Sequence, residues 1–288
     1  MQSIANKLVL GTAQFGMDYG ITNISGKPGK KKVFKILELA WRNGVRRFDT
    51  APGYGSEALL GEFIAAHGLE KNAIILTKLP GMEEKRDKKS AIRACIETSI
   101  EKLGCNIEVL FFHNPQDSVL LLDDPIYFKQ LLKDYPVKIL GVSVYDPYEV
   151  ELLEACDLEL AFQFPFNVLD RRFEKVNMFN GRRYARSIFL QGLIASAKCL
   201  RSNAPIELKN LHNLYHRELK KNGMKPVETA VSFVAGSDYV DFFLIGIETQ
   251  KQLQDILITS LDKKPSLTHI EKLFLNIKET LIDPRKWN

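Results

Sequence analysis

Eight short apolar runs, each followed by a longer stretch of helical periodicity or a loop, constrain this chain more than any other feature. The runs are Leu8–Gly11, Arg46–Ala51, Ile74–Leu79, Val109–His113, Ile139–Val144, Leu160–Phe164, Ala185–Leu190 and Phe242–Ile245. Several are continuously apolar, as expected for strands buried on both faces of a parallel sheet. Between them, Val33–Asn43 carries Val33, Ile36, Leu37, Ala40 and Trp41 on one helical face and stops at Gly44. Further helices are expected over Ala58–Ala66, Ser90–Leu103, Asp146 to about Ala155, Leu208–Lys221, from Pro226 onward, over Thr249–Leu257 and, as an extra C-terminal helix, over Thr268–Leu281.

Eight strand–helix units over roughly 250 residues predict an α/β fold of the (β/α)8 TIM-barrel type. An open doubly wound sheet would be favoured by a G-x-G-x-x-G loop after the first strand. The segment Leu10-Gly11-Thr12-Ala13-Gln14-Phe15-Gly16 does not match it. No linker or low-complexity stretch divides residues 1–288, so a single domain is expected. Asn167 to Arg183 shows no clear helix and reads as a loop at the barrel mouth.

Composition excludes several classes. The net charge is +5, but Lys and Arg are spread along the chain rather than gathered into a nucleic-acid footprint. No apolar run approaches the roughly 20 residues of a membrane span. Cys95, Cys105, Cys156 and Cys199 form no C-x-x-C pair and read as reduced thiols. With no signal-peptide pattern in Met1–Asn6, a cytoplasmic location is expected.

In such a barrel, residues at the C-terminal strand ends share one site. Asp49 ends the second run, Tyr54 lies on the Gly-rich loop beyond it, Lys78 ends the third and His113 the fourth. A phenol with a free pKa of about 10 works as an acid near neutrality only if its neighbours favour the phenolate. Lys78 would do so, Asp49 would keep the buried Lys78 charged, and His113 could donate a hydrogen bond to a carbonyl oxygen. Singly, each has an ordinary structural reading; jointly they suit carbonyl reduction by a hydride carrier.

The segments Phe48-Asp49-Thr50-Ala51-x-x-Tyr54-Gly55-x-Glu57-x-x-Leu60-Gly61, Thr77-Lys78, Phe111-Phe112-His113-x-Pro115, Gly141-Val142-Ser143, Gln163-Phe164-Pro165-Phe166-Asn167 and Gln191-Gly192-Leu193 follow one another in order. Through them the chain resembles the aldo-keto reductase superfamily, in particular its bacterial branch. The resemblance implies an enzyme that uses NADPH or NADH to reduce a small-molecule aldehyde or ketone. Tyr54 would be the general acid, with Asp49, Lys78 and His113 completing the tetrad. Ser143 and Gln163 match positions that hold the nicotinamide carboxamide, Thr50 one near its ribose, and Gln191 and Leu193 the pyrophosphate loop. Gly11, Thr12, Arg186, Leu190, Gly192, Gly246, Glu248 and Gln252 complete the expected cofactor contacts. A nicotinamide-binding sensor or partner-complex subunit on the same fold is the alternative, as is an isomerase or lyase that retains its cofactor.

Three positions depart from the resemblance. Val144 stands where an Asn often adds a carboxamide contact. Arg186 falls where an aromatic residue often stacks on the nicotinamide. Glu248 occupies an often basic position, which tilts the expectation towards NADH, although Lys251 offers a compensating charge. The loop Phe15–Gly20 is expected to line the mouth. Phe166, Asn167 and the Arg171-Arg172 pair suggest a negatively charged substrate, such as a phosphorylated or nucleotide-linked sugar.

Overall fold

A computed structural model describes residues 4–18, 26–178, 181–198, 200, 204–259 and 277–287. Its strands are β1 (Leu8–Gly11), β2 (Arg47–Asp49), β3 (Ile74–Leu79), β4 (Ile107–Phe112), β5 (Val137–Ser143), β6 (Leu160–Pro165), β7 (Arg182–Arg186) and β8 (Phe242–Gly246). Each pairs in parallel with the next, and β8 closes on β1. The expected (β/α)8 barrel is therefore observed. The main helices are α1 (Lys30–Arg42), α2 (Glu57–Ala66), α3 (Lys88–Leu103), α4 (Pro125–Asp134), α5 (Pro147–Glu151), α6 (Ile206–Lys221), α7 (Pro226–Ala235) and α8 (Gln250–Leu257). The expected helix over Thr268–Leu281 lies mostly outside the described residues; Glu279–Ile282 is helical.

The helix ends follow local chemistry. Asp87 caps α3 by accepting from the Ser90 N–H at 3.1 Å, and Gly104 ends it in the left-handed region at φ +66°. Helix α5 is shorter than expected, stopping at Glu151 rather than near Ala155.

Alternation along the strands positions the site. Val9, Leu76, Val109, Phe111, Ile139, Ala161 and Tyr184 form a cluster of their own, separate from the larger core between strands and helices. They fill the barrel interior. Successive strand side chains point to opposite faces. Two residues beyond Leu76, Phe111, Ala161 and Tyr184, the same inward face therefore reaches Lys78, His113, Gln163 and Arg186. Four beyond Ile139 it reaches Ser143.

Strand β7 differs from expectation: it covers Arg182–Arg186, not Ala185–Leu190. Its first two residues are charged and give no apolar signal. Arg182 pairs with Glu108, and Arg183 with Asp241 at 2.7 Å. The chain then leaves the sheet, because Ser187, Leu190 and Gln191 all adopt positive φ.

Candidate active site

Lys78 and Asp49 form a dry ion pair at the mouth of the barrel. Lys78 Nζ donates to Asp49 Oδ1 at 2.7 Å, to Oδ2 at 2.8 Å and to the Thr50 carbonyl at 3.0 Å. The two residues are only 1% and 4% exposed. Burial by itself would pull the Lys78 pKa down, but the charge and hydrogen bonds of Asp49, with Tyr54, outweigh it and the net shift is upward. The ammonium therefore stays charged.

Tyr54 comes from the short 3-10 turn Pro52–Tyr54, and its ring centroid lies 4.9 Å from Lys78 Nζ. The β1 loop presses against this turn so closely that a Cβ on Gly16 would lie 1.8 Å from the Tyr54 carbonyl oxygen. Only glycine fits there. The His113 ring stands perpendicular to Tyr54, with centroids 6.2 Å apart. His113 is an exposed residue, and protein shields its ring only in part. This partial desolvation, with the positive charge of Lys78 second and that of Arg186 adding, lowers its pKa from 6.5 to about 4; Asp49 opposes the shift. Two nearby cations support the direction independently of burial. His113 is neutral at physiological pH.

A chain of hydroxyls fixes the end of β2. Thr12 Oγ1 donates to the Asp49 carbonyl at 2.9 Å, and Ser56 Oγ lies 2.8 Å from Thr12 Oγ1 and 2.9 Å from Thr50 Oγ1. Each hydroxyl has one proton. The donation must therefore run from Thr50 to Ser56 to Thr12. The hydroxyl protons of Thr50, Ser56 and Thr12 are thus committed to a chain that ends on the Asp49 carbonyl, with Ser56 as its node.

The other expected cofactor residues fall into two groups. Ser143 and Gln163 are paired in register across β5 and β6, and both are buried and inward. Gln163 Nε2 donates to Asp49 Oδ2 at 2.9 Å. Gln163 Oε1 and the Ser143 hydroxyl have no hydrogen bond among the described residues. An amide oxygen beside a hydroxyl is a donor–acceptor set that suits a carboxamide. Gly11 and Gly246 also pair, and a Cβ on Gly246 would collide with the Gln14 amide.

Leu190 and Leu193, by contrast, are fully buried, so only their backbone is available to a ligand. Gln191 (φ +53°) and Gly192 (φ +100°) lie between them. This loop is tied to α6 by His216 and His212, whose Nε2 atoms lie 2.9 Å from the Leu193 and Ser196 carbonyls. Gln252 Oε1 accepts from the Glu248 and Thr249 N–H groups, forming a capping box at the start of α8. Glu248 is half-buried. Burial raises its pKa, with Lys32 opposing.

The three departures resolve as follows. Val144 is fully buried in the outer core, so no side-chain contact to a carboxamide comes from that position. Arg186 Nη2 donates to the Val144 carbonyl at 3.0 Å, and its guanidinium carbon lies 4.0 Å from the Tyr145 ring centroid. The anionic-substrate expectation for Arg171 and Arg172 is not supported. Arg171 bonds Glu174 at 2.6 Å, and Arg172 bonds Asp170 at 2.9 Å and Asp146 at 2.8 Å. Phe166 stacks on Phe233, and Asn167 Oδ1 caps its own turn by accepting from Leu169 and Asp170.

A cavity of about 300 Å³ opens beside His113, with Gly81, Pro115, Tyr145 and Arg285 in its wall. Tyr145 and Arg285 are absent from the sequence reading. Arg285 lies far beyond the last strand, and no local pattern marks it.

Residues 7–265 match the family model described as Aldo/keto reductase family. The chain belongs to the aldo/keto reductase family. Among members of that family, an aldo-keto reductase of Mycobacterium sp. (strain KMS) is 33% identical over 122 residues, which cover 41% of this chain and 43% of the relative. The uncharacterized oxidoreductase YrpG of Bacillus subtilis is 24% identical over 305 residues, covering 90% of this chain and 89% of YrpG. The solved structure of a glycerol dehydrogenase from Gluconobacter oxydans superposes with a TM-score of 0.69 at 25% identity, covering 93% of this chain and 89% of that one. The match thus spans less than half the length of the Mycobacterium relative and most of the length of the other two. Among the described residues, no helix is long and apolar enough to cross a membrane.

Proposed function

We propose that this aldo/keto reductase family member reduces an aldehyde or ketone to the alcohol, using NADPH or NADH. The observation that carries the reading is the dry Lys78–Asp49 pair beside the Tyr54 ring, with His113 perpendicular to that ring. When bound, the reduced nicotinamide supplies the hydride. Ser143 and Gln163 would hold its carboxamide, and the backbone from Leu190 to Leu193 would lie along the pyrophosphate.

The chain's own residues handle the proton. Tyr54 gives it to the alkoxide oxygen as negative charge develops there. Lys78, held charged by Asp49, stabilises the phenolate left behind. Neutral His113 donates a ring N–H to the carbonyl oxygen and orients it. A histidine that charged near pH 7 would compete as an acid, and its depressed pKa prevents this. For the cofactor, Glu248 favours NADH, since a carboxylate repels a 2′-phosphate and accepts from a ribose hydroxyl.

The test is a panel of simple aldehydes, glyoxals and sugars, followed by NADH and NADPH absorbance. Tyr54→Phe is expected to lower kcat by several orders of magnitude while fluorescence titration still shows cofactor binding. Near-normal turnover by Tyr54→Phe would reject Tyr54 as the acid.

A further inference from the structure

We propose that the substrate carries an anionic group, a carboxylate or a phosphate, and that Arg285 in the cavity wall holds that group beside His113, with the unpaired charge of Arg186, packed on the same Tyr145 ring, favouring it. The proposal rests on the reductase reading and names the substrate class for the same site.

Arg186 is the cation at the mouth whose charge has no carboxylate partner among the described residues. Its contacts are the Val144 carbonyl at 3.0 Å, the Ser187 hydroxyl at 3.4 Å and the Tyr145 ring, all neutral. Its neighbours differ. Arg171 is bonded to Glu174, and Arg172 to Asp170, Asp146 and Glu279. A half-buried guanidinium with neutral contacts alone is an unmet charge. Arg186 itself is not part of the cavity wall, but its positive charge reaches His113, which is.

Arg285 adds direction. The buried Asp283 grips it in bidentate fashion, Nε at 2.9 and 3.1 Å and Nη2 at 2.6 Å. That grip fixes the guanidinium 3.6 Å from the Tyr145 ring centroid, in the cavity wall. Nη1 has no hydrogen bond among the described residues and remains available as a donor. Asp283 balances the charge of Arg285, so the surplus positive charge belongs to Arg186. The other carboxylates near this rim are already engaged: Glu83 accepts from Asn114 at 2.6 Å, and Asp146 accepts from Arg172 and lies 3.7 Å from Arg285 Nη2.

The cavity, about 300 Å³, sits at the small end of ligand sites, which run from about 300 to 1,000 Å³. It suits the anionic end of a short oxo acid or of a small sugar phosphate. A planar guanidinium fork matches carboxylate and phosphate alike.

The experiment compares substrates of matched length: succinic semialdehyde with butanal, and glyceraldehyde 3-phosphate with glyceraldehyde. At least one charged member is expected to exceed its neutral partner about tenfold or more in kcat/KM, with the difference in KM. The pair that shows the preference tells carboxylate from phosphate. Arg186→Gln and Arg285→Gln are each expected to reduce that preference about tenfold. Independently of any variant, malonate or inorganic phosphate is expected to inhibit the unmodified protein competitively with the carbonyl. Equal kcat/KM within both pairs, with no competition by either anion, overturns the anion subsite and leaves the reductase reading standing. Absence of turnover with every carbonyl overturns the reductase reading and the subsite with it.

Discussion

Gln163 reaches from β6 to donate its Nε2–H to Asp49 Oδ2, 2.9 Å away, tying that strand to the buried ion pair. Replacing Gln163 by Glu keeps the shape and sets a second carboxylate against the first. Two carboxylates so close cannot both ionise, so the new Glu takes up a proton in the folded state. Its folded pKa rises above the unfolded value of about 4.3. The protonated form is then fully accommodated below that value, and stability is lost as pH rises through the raised one. Gln163→Glu should therefore lose Tm relative to the parent between pH 5 and pH 8, as read by thermal melts. A constant Tm difference across that range would contradict this.

The Lys78–Asp49 pair makes a second prediction. Removing one partner strands the other charge where it is 1% or 4% exposed. Lys78→Met and Asp49→Leu should each cost about 3–5 kcal/mol. The double variant should cost less than the sum of the singles, and its recovered stability should not restore reductase activity if both groups serve the proton transfer as proposed. Urea unfolding of the four proteins measures the coupling; simple additivity would mean that the pair is not a unit.

The barrel was legible because parallel strands buried on both faces leave continuous apolar runs, and Asp49, Lys78 and His113 because they close those runs with charge or imidazole. Strand β7 starts before the apolar run that marks it in the sequence, for a physical reason. Arg182 and Arg183 pair with Glu108 and Asp241, which are 74 and 58 residues away, and a local apolar pattern cannot report such partners. The same holds for the cavity wall. Arg285 meets Tyr145 only through tertiary packing, whereas the adjacent Arg171 and Arg172 drew notice as a sequence pair although their charges are satisfied by nearby carboxylates.

His113 should impose no acid limb on turnover at neutral pH. Its pKa is depressed from 6.5 to about 4, so the neutral ring persists well below pH 6. Between those values the unfolded chain binds more protons at this residue than the folded one. Its contribution to stability therefore rises with pH across that window and levels off above it. The kcat/KM profile should show no limb from His113 between about pH 5 and 8. Because Arg186 is one of the cations lowering this pKa, Arg186→Gln should move the His113 titration upward, as read from its ring protons by NMR. A His113 that titrates near 6.5 in the parent, or that is unmoved by the substitution, would contradict the electrostatic account.

Glu248 and Lys32 set the last prediction, cofactor choice. Glu248 is half-buried at the turn before α8, and Lys32 on the first turn of α1 is close enough to act on its charge. Its backbone N–H is held by Gln252 Oε1 at 2.8 Å, so the turn has a defined shape into which another side chain can be grafted. If the adenosine ribose binds at this turn, as proposed, a 2′-phosphate meets the Glu248 carboxylate. With Arg there, it meets a guanidinium supported by Lys32. Replacing repulsion by a charge-assisted hydrogen bond is worth about 1.5–3 kcal/mol. Glu248→Arg should therefore shift the ratio of NADPH to NADH affinity towards NADPH by about tenfold to a hundredfold. Fluorescence titration of both nucleotides at fixed ionic strength measures the ratio, and the shift should shrink as salt is raised. An unmoved ratio would place the adenosine ribose away from this turn.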